Sequence, residues 1–431
     1  MKKKITAFLM TASFLASNTV FGKDTEKEFS KNTEILSAFN IIELSDDLQQ
    51  DAYVTRGEFA KYLSSAMQIM PDNKTGFTDV FDEHLKAVSA LEKYNIVYGN
   101  GNEFRPDDMI TTCDAAVMIM RALGYEQLAQ MSGGYPGGYL SLAESEGIFD
   151  GIDTAIYDYA TSETIMRMLC NMLEANIYVV ELSGSKTTYE QGKTFMEQYY
   201  EAYETTGILQ GNNELNINGS QAARNKDSVV LDYNEYTSKI DLSEYLGYNL
   251  KIYYTSTDGE NTIIYAEEAK KNKAEVVSGY DIENFDLNNY VLEYENETKM
   301  KKLKFYNGTT FILNGEFVTD IDNTEIIPKD GKVKAVDNNG DGKIDVFFIN
   351  EYEYAVAGSI SLNKEFIIDD ITNKKIMLDD DDVKITKDGE KIDLKDITED
   401  SLLEMMYGKN GEIKEIHVYE KIPVYAADLG M

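Results

Sequence analysis

The hydrophobic pattern of this chain changes period near residue 207. Before that point, "EFAKYLSSAMQI", "HLKAVSALEKYNIV", "DAAVMIMRALGY" and "ETIMRMLCNMLEA" place apolar residues at i, i+3, i+4 and i+7. That spacing gives a helix one buried stripe. The stretches between them are rich in Gly, Asn, Asp and Pro, which interrupt helices. Residues 30–180 therefore read as helical, and "SKTTYEQGKTFMEQYYEAYE", within 181–206, reads as a further polar helix or helical linker. After 207, Val, Ile, Tyr and Thr alternate with charged residues, interrupted by "TDGEN", "KDGK", "NNGDGK", "KDGE" and "KNGE". Alternation with period two, broken by Gly-containing turns, is the pattern of β-hairpins. The predicted fold class is multidomain α plus β: an all-α N-terminal domain, then small all-β modules, barrel- or sandwich-like, at 207–275, 276–355 and 356–431.

The helical half repeats. The segments "ILSAFNII…VTRGEFAKYLSSAM", "FTDVFDEHLKAVSALEKYNIVYGNGNEFRPDDMITTCDAAVMIMRALGY" and "GGYLSLAESEGIFDGID…YATSETIMRMLCNML" can be laid together. In each, a helix closes at an Asn-Ile or Gly-Ile pair, a loop follows, and a Thr opens a second helix. The three threonines are Thr55, Thr111 and Thr161, spaced 56 and 50 residues apart. Three copies of one helix–loop–helix unit bury their faces mutually and form a single domain. The β half repeats more loosely, as a polar lead-in, a strand, a Gly-containing turn and a second strand.

Composition narrows the function. A chain of 431 residues is too long for one core. Its 76 Asp and Glu against 41 Lys and Arg leave a net charge of −35, which repels phosphate backbones and excludes nucleic acid as a partner of the whole chain. Two cysteines, Cys113 and Cys170, make no disulfide framework. Two histidines, His84 and His417, leave little material for histidine-based metal sites or catalysis. No H-E-x-x-H, G-x-S-x-G or phosphate loop is present, and nothing marks an enzyme. At the start, Lys2, Lys3 and Lys4 precede an apolar run that ends in small residues. Residues 1–22 read as a secretory signal, and no later stretch is apolar enough to span a bilayer. The predicted product is an exported protein without a membrane span.

Within "YVTRGEFAKYL", Thr55 and Glu58 form the S/T-x-x-E capping box that starts a helix. Arg56 is not explained that way, because a cation in the first helical turn opposes the macrodipole, at a cost of roughly 0.3–1 kcal/mol. It calls for an anionic partner, either an internal carboxylate or a ligand, and arginine binds carboxylates bidentately. The other copies read Thr111-Thr112-Cys113-Asp114 and Thr161-Ser162-Glu163-Thr164. The capping Thr occurs three times, the acidic partner twice, as Glu58 and Asp114, and the arginine once.

The helical half resembles an S-layer homology domain, over roughly residues 30–180. The second repeat carries the likeness best, through "FTDV", "YNIVYGNGNEFRPDDMIT" and "CDAAVMIMRALGY"; "VTRGEFAKYL" matches the family's Thr-Arg-Ala-Glu motif with Gly57 at the Ala position. Leu85 follows His84 where the family usually has Trp. The resemblance implies a pseudo-threefold domain in a secreted protein of a Gram-positive, clostridial-type bacterium. It implies that grooves between repeats bind secondary cell-wall polysaccharide, that Arg56 is a principal ligand for the acidic sugar, and that the protein is anchored non-covalently to the wall. On the same basis Thr55, Asp79, Gly99, Gly101 and Arg105 are candidate polysaccharide-binding residues. Each also has a structural reading: Thr55 as a cap, Asp79 as an N-cap or Asx-turn residue, and Gly99, Gly101 and Arg105 as parts of a loop closed by Phe104 and Pro106.

One string suggests a cation. In "VDNNGDGKIDVFF", Asp337, Asn339, Asp341 and Asp345 stand at positions 1, 3, 5 and 9 of a calcium-loop pattern, with Gly342 at 6. Phe348 replaces the closing Glu and both flanks read as strands, so calcium and a plain hairpin turn both remain open. The function read from the sequence is wall anchoring by S-layer homology repeats, with acidic β modules in structural or adhesive roles. An S-layer lattice subunit that self-associates, and a wall-bound enzyme with its site in the β half, are the alternatives.

Overall fold

The structure, a computed structural model, describes residues 22–420 except 46–47, 184–185, 224, 297–298, 320, 322–325, 379–382 and 409–410. Of the predicted signal segment, residues 1–21 lie outside the described residues, as do parts of the acidic run before Ile385 and of the "KNGE" turn. The protein is α plus β, with helices in its N-terminal half and strands in its C-terminal half. It forms two compact units. One holds the described residues up to Thr205 together with Ile252–Ala266; the other holds Thr206–Lys251 and the described residues from Glu267 on.

The first unit contains α1 (Gly22–Ala38), α2 (Arg56–Ala66), α3 (Asp82–Lys93), α4 (Thr112–Ala122), α5 (Glu126–Met131), α6 (Gly137–Ser145) and α7 (Ser162–Glu174). The apolar stripes read from the sequence make one core: Leu36, Phe59, Leu63, Leu91, Ile119, Ile165 and Leu169 are wholly buried in a single cluster. The methionines Met118, Met120, Met166, Met168 and Met172 belong to the same core, where their flexible side chains fill gaps. No helix among the described residues is long and apolar enough to cross a membrane.

The polar helix expected within 181–206 is replaced by a hairpin. Strands β1 (Asn176–Ser183) and β2 (Lys186–Thr194) pair antiparallel, and only the short α8 (Phe195–Tyr200) is helical. The reasons are local. Thr187, Thr188 and Tyr189 favour strands, and Gly192 leaves no room for a side chain, since a Cβ there would sit 2.8 Å from Val179 Cγ2. The helix begins only where Thr194 and Glu197 supply a capping box.

In the β half, β3 (Ala202–Gly211), β4 (Ser228–Leu231), β5 (Asn234–Ser238), β6 (Asn249–Thr257) and β7 (Glu260–Glu268) close into a barrel in the order β3-β4-β5-β7-β6. The following strands are β8 (Lys273–Ser278), β9 (Ile282–Asp286), β10 (Val291–Asn296), β11 (Lys299–Leu313), β12 (Glu316–Val318), β13 (Gly331–Asp337), β14 (Lys343–Ser361), β15 (Phe366–Asp369), β16 (Lys375–Met377), β17 (Lys384–Lys387), β18 (Glu390–Lys391), β19 (Leu402–Tyr407) and β20 (Ile413–Tyr419). They join one 13-stranded sheet. The border expected at 355–356 falls inside β14, whose run "KIDVFFINEYEYAVAG" carries no Gly or Pro before Gly358. Two cores sit on this sheet. One gathers Phe285, Phe305, Phe347 and Ile349, the other Ile367, Leu403, Ile416 and Val418.

The "DNNGDG" stretch is the turn between β13 and β14. Asp337 is 2 % exposed; its Oδ1 accepts from the backbone N–H of Asn339 at 3.3 Å and of Gly340 at 2.6 Å, and its Oδ2 from Gly342 at 2.9 Å. Asn339 Oδ1 accepts from Asp341 N–H at 2.9 Å, and Asp341 Oδ1 from Lys343 N–H at 2.8 Å. Asp345 accepts from Asn338 N–H at 2.9 Å and from the Asn339 amide and Tyr306 hydroxyl, both at 3.2 Å. All four side chains are thus engaged within the turn, and a cation arriving there competes with the turn's own amides. Gly340 and Gly342, at φ +77° and +84°, provide the left-handed backbone that lets the amides converge. Asp337→Ala removes the buried carboxylate that gathers three amides of the turn and lowers stability by about 1–3 kcal/mol. Asp341→Ala, at a more exposed carboxylate with one amide partner, has a smaller effect. Urea unfolding of the two variants checks the order.

Candidate functional site

The site is built on the three helix starts that the capping threonines mark. Thr55, Thr111 and Thr161 each accept, through the side-chain oxygen, from the backbone N–H three residues on. The residue before each threonine belongs to a closed ring of backbone hydrogen bonds. Val54 N–H donates to Ala160 O at 3.1 Å, Ala160 N–H to Ile110 O at 2.9 Å, and Ile110 N–H to Val54 O at 2.9 Å. The next amides follow the same rotation. The first two N–H groups of α2 donate to Asp108 O and Pro106 O, those of α4 to Asp158 O and Ile156 O, and those of α7 to Ala52 O and Gln50 O. A helix start normally leaves four N–H groups without a helical partner. Here the loop entering the following helix start takes two of them and the threonine one.

This rotation places Arg56 in the groove between α2 and the loop 98–106. Its Nε donates to Phe104 O at 3.0 Å and one terminal nitrogen to Tyr98 O at 3.4 Å. The guanidinium lies over the Phe104 ring, 4.8 Å from its centre. The other terminal nitrogen is 3.6 Å from Asp114 Oδ2, and the Arg56 side chain is 16 % exposed. Burial pulls the basicity of Arg56 down, with the Asp114 charge opposing. The Asp114 carboxylate is itself held by the Tyr135 hydroxyl at 3.0 Å, and burial together with Asp114 pushes that phenol up to about 12.

The loop opposite Arg56 is held by residues that the motif marks. Asp79 caps no helix, since α3 begins after Phe81. Its carboxylate accepts instead from Phe104 N–H at 2.9 Å and Arg105 N–H at 2.7 Å, fixing the loop backbone that Arg56 binds. Arg105 has φ +62° and turns its own side chain to Asp108, with Nε at 2.6 Å from Oδ2. At Gly99 a Cβ would lie 2.3 Å from Glu103 O and 2.5 Å from the Phe77 ring, so the close turn requires glycine. Gly101, at φ +63°, has open space around it. Thr55 is occupied as a cap: its N–H and hydroxyl both reach Glu58 Oε2, at 2.8 and 2.9 Å. The structure thus gathers Arg56, Asp79 and the Gly99–Arg105 loop around one groove, with Thr55 on its helix edge.

Asp114 is the residue that reasoning from the repeats misplaced. As an echo of Glu58 it is expected to close a capping box, yet only its N–H bonds to Thr111. Its carboxylate serves Arg56 and Tyr135. The signal was available: an arginine at the first helical position needs a carboxylate across the groove, and the rotation puts the third residue of the next helix there. Thr112 and Ser162 take the place of Arg56 in the other two copies. Thr112 is fully buried with its hydroxyl unpartnered, and Ser162 donates to Ala52 O at 3.3 Å. Neither presents a cation.

Cys113 is buried and unpaired, with its thiol pushed up to about 11 by burial and then by the Asp114 charge. Cys170 lies close to Asn32 O, at 3.5 Å. His84 packs on Gly57, and a Cβ at Gly57 would be 2.5 Å from His84 Nδ1. That contact explains glycine where the motif has alanine.

A family model for the S-layer homology domain matches residues 76–111, which run from the loop before α3 through the groove loop to Thr111. A cell surface protein of Thermoanaerobacter kivui is 23 % identical over 305 residues, 65 % of this chain and 39 % of that protein. A surface layer protein of Brevibacillus choshinensis is 27 % identical over 195 residues, 41 % of this chain and 17 % of its own length. An amylopullulanase of Thermoanaerobacterium thermosulfurigenes is 32 % identical over 131 residues, 29 % of this chain and 7 % of that enzyme. The chain spans less than half the length of these relatives.

Gly57→Ala is expected to lower stability by about 1–3 kcal/mol through overpacking against His84. Gly57→Ala combined with His84→Ala recovers most of that loss, and a double-mutant cycle by urea unfolding measures it. Residues 76–111 match the S-layer homology domain, and the chain is similar to a cell surface protein and a surface layer protein of bacteria.

Proposed function

We propose that this protein is a non-enzymatic anchor, held to the secondary polysaccharide of a Gram-positive wall by the groove around Arg56. In this reading the three helix starts are three copies of one S-layer homology unit, and only the groove between the first two keeps a ligand cation. The single observation that carries it is the setting of Arg56. It is a guanidinium held at fixed angle by two backbone carbonyls and the Phe104 ring, with one weak carboxylate contact at 3.6 Å and part of its surface open. A buried arginine with a poorly matched partner can exchange that partner for a better-placed acidic group. The relatives named as cell surface and surface layer proteins support the same reading. The acidic β half then serves as a structural or adhesive extension beyond the anchor.

Calorimetry with purified wall polymer tests the assignment. Arg56→Ala is expected to weaken binding by about 10- to 100-fold, the loss of roughly 1.5–3 kcal/mol from hydrogen bonds to a charged group. An unchanged affinity refutes it.

Asp114 competes with an acidic ligand for the same guanidinium. Asp114→Asn removes that competitor and is expected to strengthen binding by a few-fold, in line with the ~0.2–1 kcal/mol of a part-exposed ion pair. A weaker complex would mean that Asp114 positions Arg56 rather than competing with the ligand.

A further inference from the structure

A second surface of the protein has the groups a saccharide site needs, and it lies in the β half. In the sheet, Tyr354 of β14 stands opposite Glu404 of β19, and Leu402 of β19 opposite Tyr419 of β20. Side chains alternate along a strand, so these four share the face opposite the core residues Leu403, Met405 and Val418. An outer face of this kind is ordinarily polar and solvated. Here it carries Tyr354 at 50 %, Tyr419 at 45 % and Leu402 at 40 % exposure around a carboxylate, Glu404, that is only 4 % exposed.

Glu404 holds the two rings in place. Its Oε1 accepts from the Tyr354 hydroxyl at 2.9 Å and its Oε2 from the Tyr419 hydroxyl at 3.0 Å. Burial and then the contact with Glu404 raise both phenols above their ordinary value, Tyr419 to about 12, so both stay protonated and keep donating to the carboxylate. What remains towards solvent is two fixed aromatic rings, one leucine, the hydroxyl oxygens, and the half-buried His417 that stands opposite Glu404. The nearest cation to Glu404 among the described residues is Lys332, with Nζ at 3.9 Å from Oε1.

This combination selects its ligand. A purely apolar ligand would strip water from the tyrosine hydroxyl oxygens without replacing it, which is costly. An anionic ligand meets Glu404 on a chain of net charge −35. A ligand with flat C–H faces, outward O–H donors and no negative charge satisfies both rings and oxygens. We propose that the Tyr354–Glu404–Tyr419 face is a binding site for a neutral pyranose saccharide. It stands apart from the Arg56 groove in both residues and charge preference, so either assignment can fail without the other.

The test uses the full chain and cellotetraose, with N-acetylchitotetraose and a galacturonic acid tetramer as further arms. Calorimetry gives the affinity. Saturable binding of a neutral tetramer, at least tenfold weaker in Tyr354→Ala and in Tyr419→Ala and unchanged in Arg56→Ala, is expected. In the Arg56→Ala chain, where the groove proposed for acidic sugar is removed, the acidic tetramer is expected to bind at least tenfold more weakly than the neutral one. Tyr354→Phe keeps the ring and loses its tether, and a loss of a few-fold there shows that the effect is not misfolding. The proposal is overturned if neither neutral tetramer saturates, or if binding survives both alanine variants. It is also overturned if these variants instead abolish a concentration-dependent dimer, which would make the face a contact with a second copy.

Discussion

Three backbone hydrogen bonds, from Val54 to Ala160, from Ala160 to Ile110 and from Ile110 back to Val54, tie the N-terminal unit together. Two of them link segments about fifty residues apart, and the bond from Val54 to Ala160 closes the set across both intervals. Each residue donates one bond and accepts another, so the complete ring forms only with all three segments in place. Such a ring contributes modestly per bond, about 0.5–1.5 kcal/mol each. Its larger effect is on geometry: it fixes the rotation that relates the three helix starts. The residues that form it are buried, so the alternative to a mutual bond is an orphaned polar group.

The ring also explains how a nearly symmetric backbone makes an asymmetric site. Backbone partners repeat at all three helix starts, so the rotation says nothing about side chains. The first helical position is Arg56, Thr112 and Ser162 in turn, and the third is Glu58, Asp114 and Thr164. Glu58 is long enough to fold back on Thr55, whereas the Asp114 carboxylate reaches across to Arg56. Arg56 opposes its own helix dipole, and the opposing cost is met by carbonyls and a carboxylate that the neighbouring segment supplies. The same scaffold closes the other two positions with small buried side chains, so the groove chemistry is written in very few residues.

Much of this was legible in the chain itself. The helical stripes, the three capping threonines and the turn at Asp337 depend on neighbours within a few residues, and local pattern reveals such features. The hairpin at 176–194 was hidden because "YEQGKTFMEQYYEAYE" carries charges at helical spacing while Gly192 acts through a partner strand. The continuity of β14 was hidden for the opposite reason: Gly-containing turns flank it closely and suggest module borders, and only the sheet shows that the strand runs on. Of the candidate site, Arg56 was legible as an electrostatic oddity. Its partner Asp114 was not, since a cap and a cross-groove acceptor occupy the same position in sequence and differ only in where one carboxylate turns.

The charge of the chain places a physical condition on any acidic ligand of the groove. A surface of net charge −35 repels such a polymer at distance, but at physiological ionic strength that repulsion is screened beyond about 8 Å. Attraction must therefore be short in range and poorly screened. A largely enclosed guanidinium meets that condition, because its surroundings exclude water and strengthen a close contact. An exposed lysine on the same surface would not. The burial that pulls down the basicity of Arg56 is thus the same feature that makes it effective at contact, and the unfavourable helix position is tolerable because carbonyls, ring and carboxylate hold the charge before any ligand arrives.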